Sequence, residues 1–167
     1  MAVELETGRL RLAQWHKRHF DGYARFCADE DLCRYAGGTC SRSEAWREMA
    51  ALAGHWSLRG FGFWAIEDKA SGRFAGYAGL WFPEGWPEAE IGWGLLRECH
   101  GRGYATEAGN KARDYAFADL GWKTAVSYMH PQNIASRRVA ERMGAVFEKE
   151  IQFAPGAAVV YRHPRPQ

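Results

Sequence analysis

Between an apolar strand and an amphipathic helix the chain reads Arg97-Glu98-Cys99-His100-Gly101-Arg102-Gly103-Tyr104-Ala105-Thr106-Glu107-Ala108. Gly101 and Gly103 permit a turn whose N–H groups point inward, and a helix N-terminus follows at once. Free amides plus the positive end of the helix dipole make an anion site, for which a pyrophosphate is the natural guest. Arg97, His100 and Arg102 add positive character. The loop lacks the Lys-Ser/Thr pair of a nucleotide P-loop. It is also too short for a dinucleotide fingerprint with a further glycine and a ribose-binding acid. A glycine turn that merely joins strand to helix is the plain alternative.

The strand before this loop runs from Ala89 to Leu96. The helix after it carries Ala105, Ala108, Ala112, Tyr115, Ala116 and Leu120 on one face and stops at Gly121. Thr124 to Met129 is the next strand, so Ile91 to Met129 forms a strand–helix–strand unit. Upstream, Arg9-Leu10-Arg11-Leu12 alternates as a strand with one wet face. Phe20 to Ala28 has helical spacing. Ser41 with Glu44 forms a capping box for a helix over about Arg42 to Leu58, closed at Gly60. Phe61 to Glu67 and Arg73 to Phe82 flank Asp68-Lys69-Ala70-Ser71-Gly72 as an antiparallel hairpin. Downstream, Ala135, Val139 and Met143 mark a helix stopped by Gly144. Val146 to Phe153 and Ala157 to Arg162 pair through a tight connection at Pro155-Gly156, and the tail from His163 reads as a frayed end. The order β-α-α-β-β-β-α-β-α-β-β predicts an α/β (α+β) class: a mixed, mostly antiparallel central sheet with flanking helices.

With 167 residues and neither repeat nor linker, residues 1–167 are expected to form one domain. Lys and Arg number 22 against 20 Asp and Glu, and a net charge of +2 is too small for general attraction to nucleic acid or an anionic membrane. No apolar run approaches the ~18–20 residues that span a bilayer. Glu4, Glu6, Arg9 and Arg11 interrupt any signal-peptide core, so the cytoplasm is the expected compartment. Cys27, Cys33, Cys40 and Cys99 have no zinc or redox spacing, so reduced thiols and no metal are expected. His16 and His19 flank a helix start and read as solvated.

Two further blocks accompany the glycine loop. Glu90-Ile91-Gly92-Trp93-Gly94-Leu95 precedes it, and Asn133-Ile134-Ala135-Ser136-Arg137-Arg138-Val139-Ala140-Glu141-Arg142-Met143-Gly144 follows the next strand. Together they resemble the GNAT superfamily of acyl-CoA-dependent N-acetyltransferases, and within it the branch that includes the ribosomal-protein N-terminal acetyltransferases. Glu90 to Trp93, Gly101 to Ala108 and Asn133 to Gly144 match that branch in order and spacing. Thr7 to Leu12 extends the likeness over nearly the whole chain.

The resemblance implies acetyl-CoA as acyl donor and an amine as acceptor. It implies that the main chain of Trp93, Gly94 and Leu95 holds the pantetheine arm. The amides of Gly101, Arg102, Gly103, Tyr104, Ala105 and Thr106 take the pyrophosphate, and Asn133 touches the cofactor arm; a helix N-cap is its structural reading. Aminolysis of a thioester needs a base for the amine and a proton for the leaving thiolate. Glu90 is the candidate base, with Glu88 two residues back as its rival, and Ser136 is the candidate partner of the thiolate. The tyrosine that many members carry on the helix after the Asn is Ala140 here, and His100 stands where the branch usually has Trp. The acceptor is expected between the early helices and the loop at Pro83 to Pro87, where Trp81, Phe82 and Trp86 cluster and near which Trp46 and Trp56 lie on the second early helix. Most of these tryptophans read equally as core. An active N-acetyltransferase, a catalytically silent acyl-CoA-binding module or sensor, and a plain interaction domain stay open as function classes, and so does a homodimer. The acceptor is a protein or peptide N-terminus or a small-molecule amine.

Overall fold

The computed structural model describes residues 3–153 and 156–166. Its centre is an eight-stranded sheet: β1 (Leu5–Glu6), β2 (Leu10–Ala13), β3 (Phe63–Asp68), β4 (Phe74–Trp81), β5 (Glu90–Leu95), β6 (Val126–Met129), β7 (Val146–Phe153) and β8 (Gly156–Arg162). The spatial order is β1-β2-β3-β4-β5-β6-β8-β7. Every neighbouring pair is antiparallel except β5 and β6. The helices are α1 (Phe20–Ala28), α2 (Glu30–Cys33), α3 (Arg42–Arg59), α4 (Tyr104–Ala118) and α5 (Ile134–Arg142). The mixed, mostly antiparallel sheet with flanking helices is the one the sequence predicts. Of the connection expected at Pro155-Gly156, Pro155 lies outside the described residues. Among the described residues no helix is long and apolar enough to cross a membrane.

Local signals explain the element boundaries. Ser41 Oγ accepts the Glu44 amide while the Glu44 carboxylate accepts the Ser41 amide, so the expected capping box starts α3. Gly60, at φ 77°, closes it in the left-handed conformation. The short β1 and the single turn of α2 were not legible, since neither is long enough to show a period.

Strand alternation sorts the sheet into two faces. Phe63, Tyr77 and Trp81 share one face with Glu90, Gly92 and Gly94, and α1 covers it through Tyr23 and Phe26 against Tyr77. Trp64, Ala78, Ile91, Trp93 and Leu95 share the other, which α4 covers with Ala108, Ala112 and Ala116. These small residues bring α4 close. Gly109 brings it closer still, since a Cβ there would strike Met143 Sδ and meet the Trp93 ring. A mid-helix glycine costs about 1 kcal/mol against alanine, and the close packing of Met143 offsets it. The core divides accordingly. A large cluster fills the β1–β5 side, a small one (Met129, Ala140, Ala145, Val159, Tyr161) fills the β6–β8 side, and Trp93 touches both.

Two sequence expectations are corrected here. His19 is buried, not solvated: its Nδ1 accepts the His16 amide and its Nε2 sits 2.8 Å from Glu67. The start of the tail is docked, not frayed: His163 is buried and its amide donates to the Ala125 carbonyl.

Candidate active site

The parallel pair β5–β6 is joined at a single register position, Glu90 with Val126, where the Val126 amide donates to the Ala89 carbonyl. A continued parallel ladder would give the Ile91 carbonyl the Tyr128 amide. Two side chains intervene. Ser127 Oγ donates to the Ile91 carbonyl at 2.5 Å, and the Tyr128 amide lies near enough to the Glu90 carboxylate to favour its charged form. The strands therefore part beyond residue 91, toward the ends from which the glycine loop and α5 depart. In open sheets ligands collect outside the carboxyl ends of such strands.

A buried histidine holds this wedge. His163 Nε2 lies 2.7 Å from Ser127 Oγ. The Ser127 proton goes to Ile91, so Nε2 is the donor. Burial pushes the His163 pKa down to about 4, keeping the ring neutral, and among the described residues its Nδ1 has no partner.

The Leu96 amide donates to the Ala75 carbonyl. Strand alternation from that bond gives the amides of Gly94 and Gly92 to β4 and turns the main chain of Trp93 and Leu95 into the gap. So the three expected pantetheine residues differ: Trp93 and Leu95 face the gap, whereas Gly94 bonds to β4. His100 Nε2 further takes the Leu95 carbonyl at 3.0 Å. The side chains serve the fold. Gly92 and Gly94 leave room for the rings of Phe63 and Tyr77, which a Cβ would meet at 3.0 and 2.7 Å.

The glycine loop has the form of an anion cradle. Gly101 and Gly103 adopt φ 72° and 77°, and Gly103 is the N-cap of α4 with no side chain capping the first amides. Arg9 braces it: Nη1 donates to the Arg102 carbonyl at 2.8 Å, while Nε and the main-chain amide bind Glu107. Thr7 Oγ1 joins the same carboxylate. The sequence marked Thr7 and Glu107 as part of a motif without showing that they face each other, and it assigned Arg9 no place at the loop. Tyr104 turns its ring inward, its hydroxyl on Asp68, so only its amide faces the loop. One expectation fails. Arg97 adds no charge to the cradle, because it is paired with Asp29 and Asp31 at 2.7 and 3.0 Å. Arg142, which the sequence did not single out, approaches Thr106 Oγ1 at 3.4 Å.

Asn133 caps α5, its Oδ1 accepting the Ser136 amide at 3.2 Å. The Ser136 hydroxyl is therefore not the capping group. Ala140 is fully buried.

Glu90 stands at the head of the opening. Trp86 Nε1 donates to its Oε2 at 2.8 Å. Burial pushes its pKa up to about 7, against the opposing pull of the Trp86 and Tyr128 N–H groups. Glu88, its rival, precedes the strand instead of sharing its face, and Arg162 holds it with contacts of 2.6 and 3.0 Å. Of the acceptor-side tryptophans, Trp86 hydrogen-bonds the Glu90 carboxylate and Trp81 is its cross-strand partner. Trp81 stacks on His55 and Phe63, Trp56 packs on Trp64, and Trp46 is exposed beside Phe20. Among the described residues no group of three or more His, Cys, Asp or Glu side chains is placed to hold a metal ion.

A family model described as an acetyltransferase (GNAT) domain matches residues 9–146. The uncharacterized protein YkkB of Bacillus subtilis (strain 168) is 33% identical over 159 residues, covering 90% of this chain and 89% of that protein. The crystal structure of an acetyltransferase from Agrobacterium tumefaciens strain C58 superposes with a TM-score of 0.89 at 33% identity, covering 98% of this chain and 95% of its own. A ribosomal-protein alanine acetyltransferase from Vibrio fischeri shares the fold, with a TM-score of 0.77 at 17% identity over 98% and 97% of the two chains.

Proposed function

The chain belongs to the GNAT acetyltransferase family, whose general chemistry is acyl-CoA-dependent acetyl transfer, and from that premise we propose that it moves an acetyl group from acetyl-CoA to a primary amine by direct attack, with Glu90 as the base. Acetyl-CoA supplies the activated thioester. One observation carries the reading: a carboxylate at the head of the β5–β6 opening whose pKa is pushed up to about 7. A base acts best with a pKa near the working pH, and an ordinary carboxylate would be too weak to take an ammonium proton.

The same geometry supports the remaining roles of this reading. The uncapped amides of residues 101 to 106 suit a pyrophosphate. The Trp93 main chain, freed by the wedge, suits an arm carrying amides of its own. Asn133 meets the arm while capping α5. Ser136, whose hydroxyl the cap does not need, donates to the departing thiolate.

Glu90 must be ionised to act, so the rate should rise with pH through about 7 and level off above it. Glu90→Gln should lower kcat about 10²–10⁴-fold and remove that acidic limb. A retained limb at near-normal rate overturns the assignment. The buried Ala140, where many members keep a tyrosine, favours a second reading, an acyl-CoA sensor without turnover. Binding separates from turnover in one pair of assays. Saturating acetyl-CoA should raise the melting point by about 5–10 °C on either reading, whereas acetyl-CoA consumption across a panel of amines supports the enzyme alone.

A further inference from the structure

Aromatic residues from five separate segments of the chain lie beside Glu90 or pack on those that do. Trp81 is its cross-strand partner on β4, and Phe63 lies over Gly92 on the same face. Trp86, from the loop before β5, binds its carboxylate. Phe153 at the end of β7 meets Trp86 edge-on at 5.2 Å, and Tyr128 on β6 meets Phe153 at 5.0 Å. Trp86, Tyr128 and Phe153 are each only half-buried, so each keeps surface open to solvent.

The charges nearby are paired with one another, and Glu90 is not among them. Arg162 is shared between Glu88 and Glu148, and Lys149 also pairs with Glu148 at 3.8 Å, so that group is balanced and its carboxylates are already committed. His55, stacked on Trp81, brings no positive charge. Its Nε2 accepts the Phe82 amide and its Nδ1 donates to the Phe61 carbonyl, and burial lowers its pKa. A carboxylate framed by ring faces and edges, and in no salt bridge among the described residues, attracts an ammonium group and shelters the apolar body that carries it.

We propose that the acceptor subsite formed by Trp86, Tyr128 and Phe153 around Glu90 selects a small monoamine whose ammonium group sits on an aryl or other apolar body. The inference rests on the acetyltransferase reading and deepens it. A hydroxylated polycation needs a separate acceptor for each ammonium, and these walls offer rings instead. A peptide N-terminus needs main-chain partners along an extended groove, whereas the hydrogen bond to the acceptor side here is an indole N–H already committed to Glu90.

The test compares 2-phenylethylamine and tryptamine with spermidine, an aminoglycoside and an alanine-terminated peptide, by kcat/KM with acetyl-CoA. The arylalkylamines should lead by tenfold or more. Phe153→Ala should raise their KM about 3- to 30-fold, the range of one lost cation–π contact, and lower kcat less. Trp86→Phe keeps a ring but loses the N–H to Glu90. It should shift the acidic limb of the pH profile upward, a change that loss of packing alone does not produce. Phenylethyltrimethylammonium cannot be acetylated, and it should bind the enzyme–coenzyme A complex and weaken in Phe153→Ala. If the polyamine or peptide is preferred tenfold while acetyl transfer proceeds, the subsite is wrong and the acetyltransferase reading stands. If the quaternary probe binds but no amine turns over, the subsite stands and the acetyltransferase reading falls.

Discussion

Replacing Glu90 by glutamine should make the protein more stable as well as less active, and the gain should depend on pH. A carboxyl whose pKa rises on folding binds its proton more tightly in the native state, so native stability falls as pH climbs from 4.5 to about 7. That rise corresponds to about 3 kcal/mol once the group is fully ionised, and residual solvent access lowers it to about 1–3 kcal/mol. Glutamine is neutral, similar in shape, and keeps an oxygen for the Trp86 indole and the Tyr128 amide. At pH 8 the variant should therefore be more stable by about 1–3 kcal/mol, a melting point higher by about 3–10 °C. At pH 5 only about a quarter of the gain should remain, since the native carboxyl is then already protonated. Thermal and urea unfolding of both proteins at pH 5 and 8 measure this directly. An equal gain at both pH values, or none at pH 8, refutes the premise that burial of a charge at Glu90 raises its pKa.

Gly103→Val should abolish stabilisation by coenzyme A and cost about 1–3 kcal/mol in urea unfolding, because a β-branched residue is strained at φ 77°; a folded variant with normal coenzyme A affinity contradicts the anion cradle. Ser127→Ala strips the Ile91 carbonyl and the buried His163 of their shared partner, so it should destabilise by about 1–3 kcal/mol, read by urea unfolding. Asn133→Ala should cost about 0.5–2 kcal/mol as a lost cap and weaken acyl-CoA binding, whereas Ser136→Ala should slow turnover with little change in melting point. Equal losses of stability and activity in those two variants reduce both residues to structural parts.

What the sequence disclosed was local chemistry. The capping box at Ser41 and Glu44 involves residues three apart, and glycine stops at residues 60, 121 and 144 all show positive φ. The glycine loop was legible for the same reason, as was the strand–helix–strand unit around it. What stayed hidden is pairing across distance. Arg97 stands beside the loop in the chain, yet Asp29 and Asp31 draw it away, and no periodicity records such a choice. The state of Glu90 depends on Trp86, four residues off, and on Tyr128, which the fold brings from the neighbouring strand. His163 looked like a polar tail residue because only Ser127, 36 positions earlier, gives its ring a reason to be buried.

The parting of β5 from β6 frees one side of a mid-sheet strand from the ladder: Ser127 takes the Ile91 carbonyl, His100 takes the Leu95 carbonyl, and the Trp93 peptide between them is left to the gap. Along that rail of peptide groups the Trp93 amide has no strand to exchange with, while the amides of Gly92 and Gly94 on the opposite rail are tied to β4. Deuterium uptake should therefore alternate residue by residue within β5, fast on one rail and slow on the other. The division has a consequence for tolerance to change. A rail of peptide groups makes no demand on residue type, which leaves the side chains free to be chosen for packing: Trp93 to join the two cores, Leu95 to fill one of them. Substitutions along this strand should then be felt as altered packing, while the peptide groups facing the gap keep their place whatever side chain they carry.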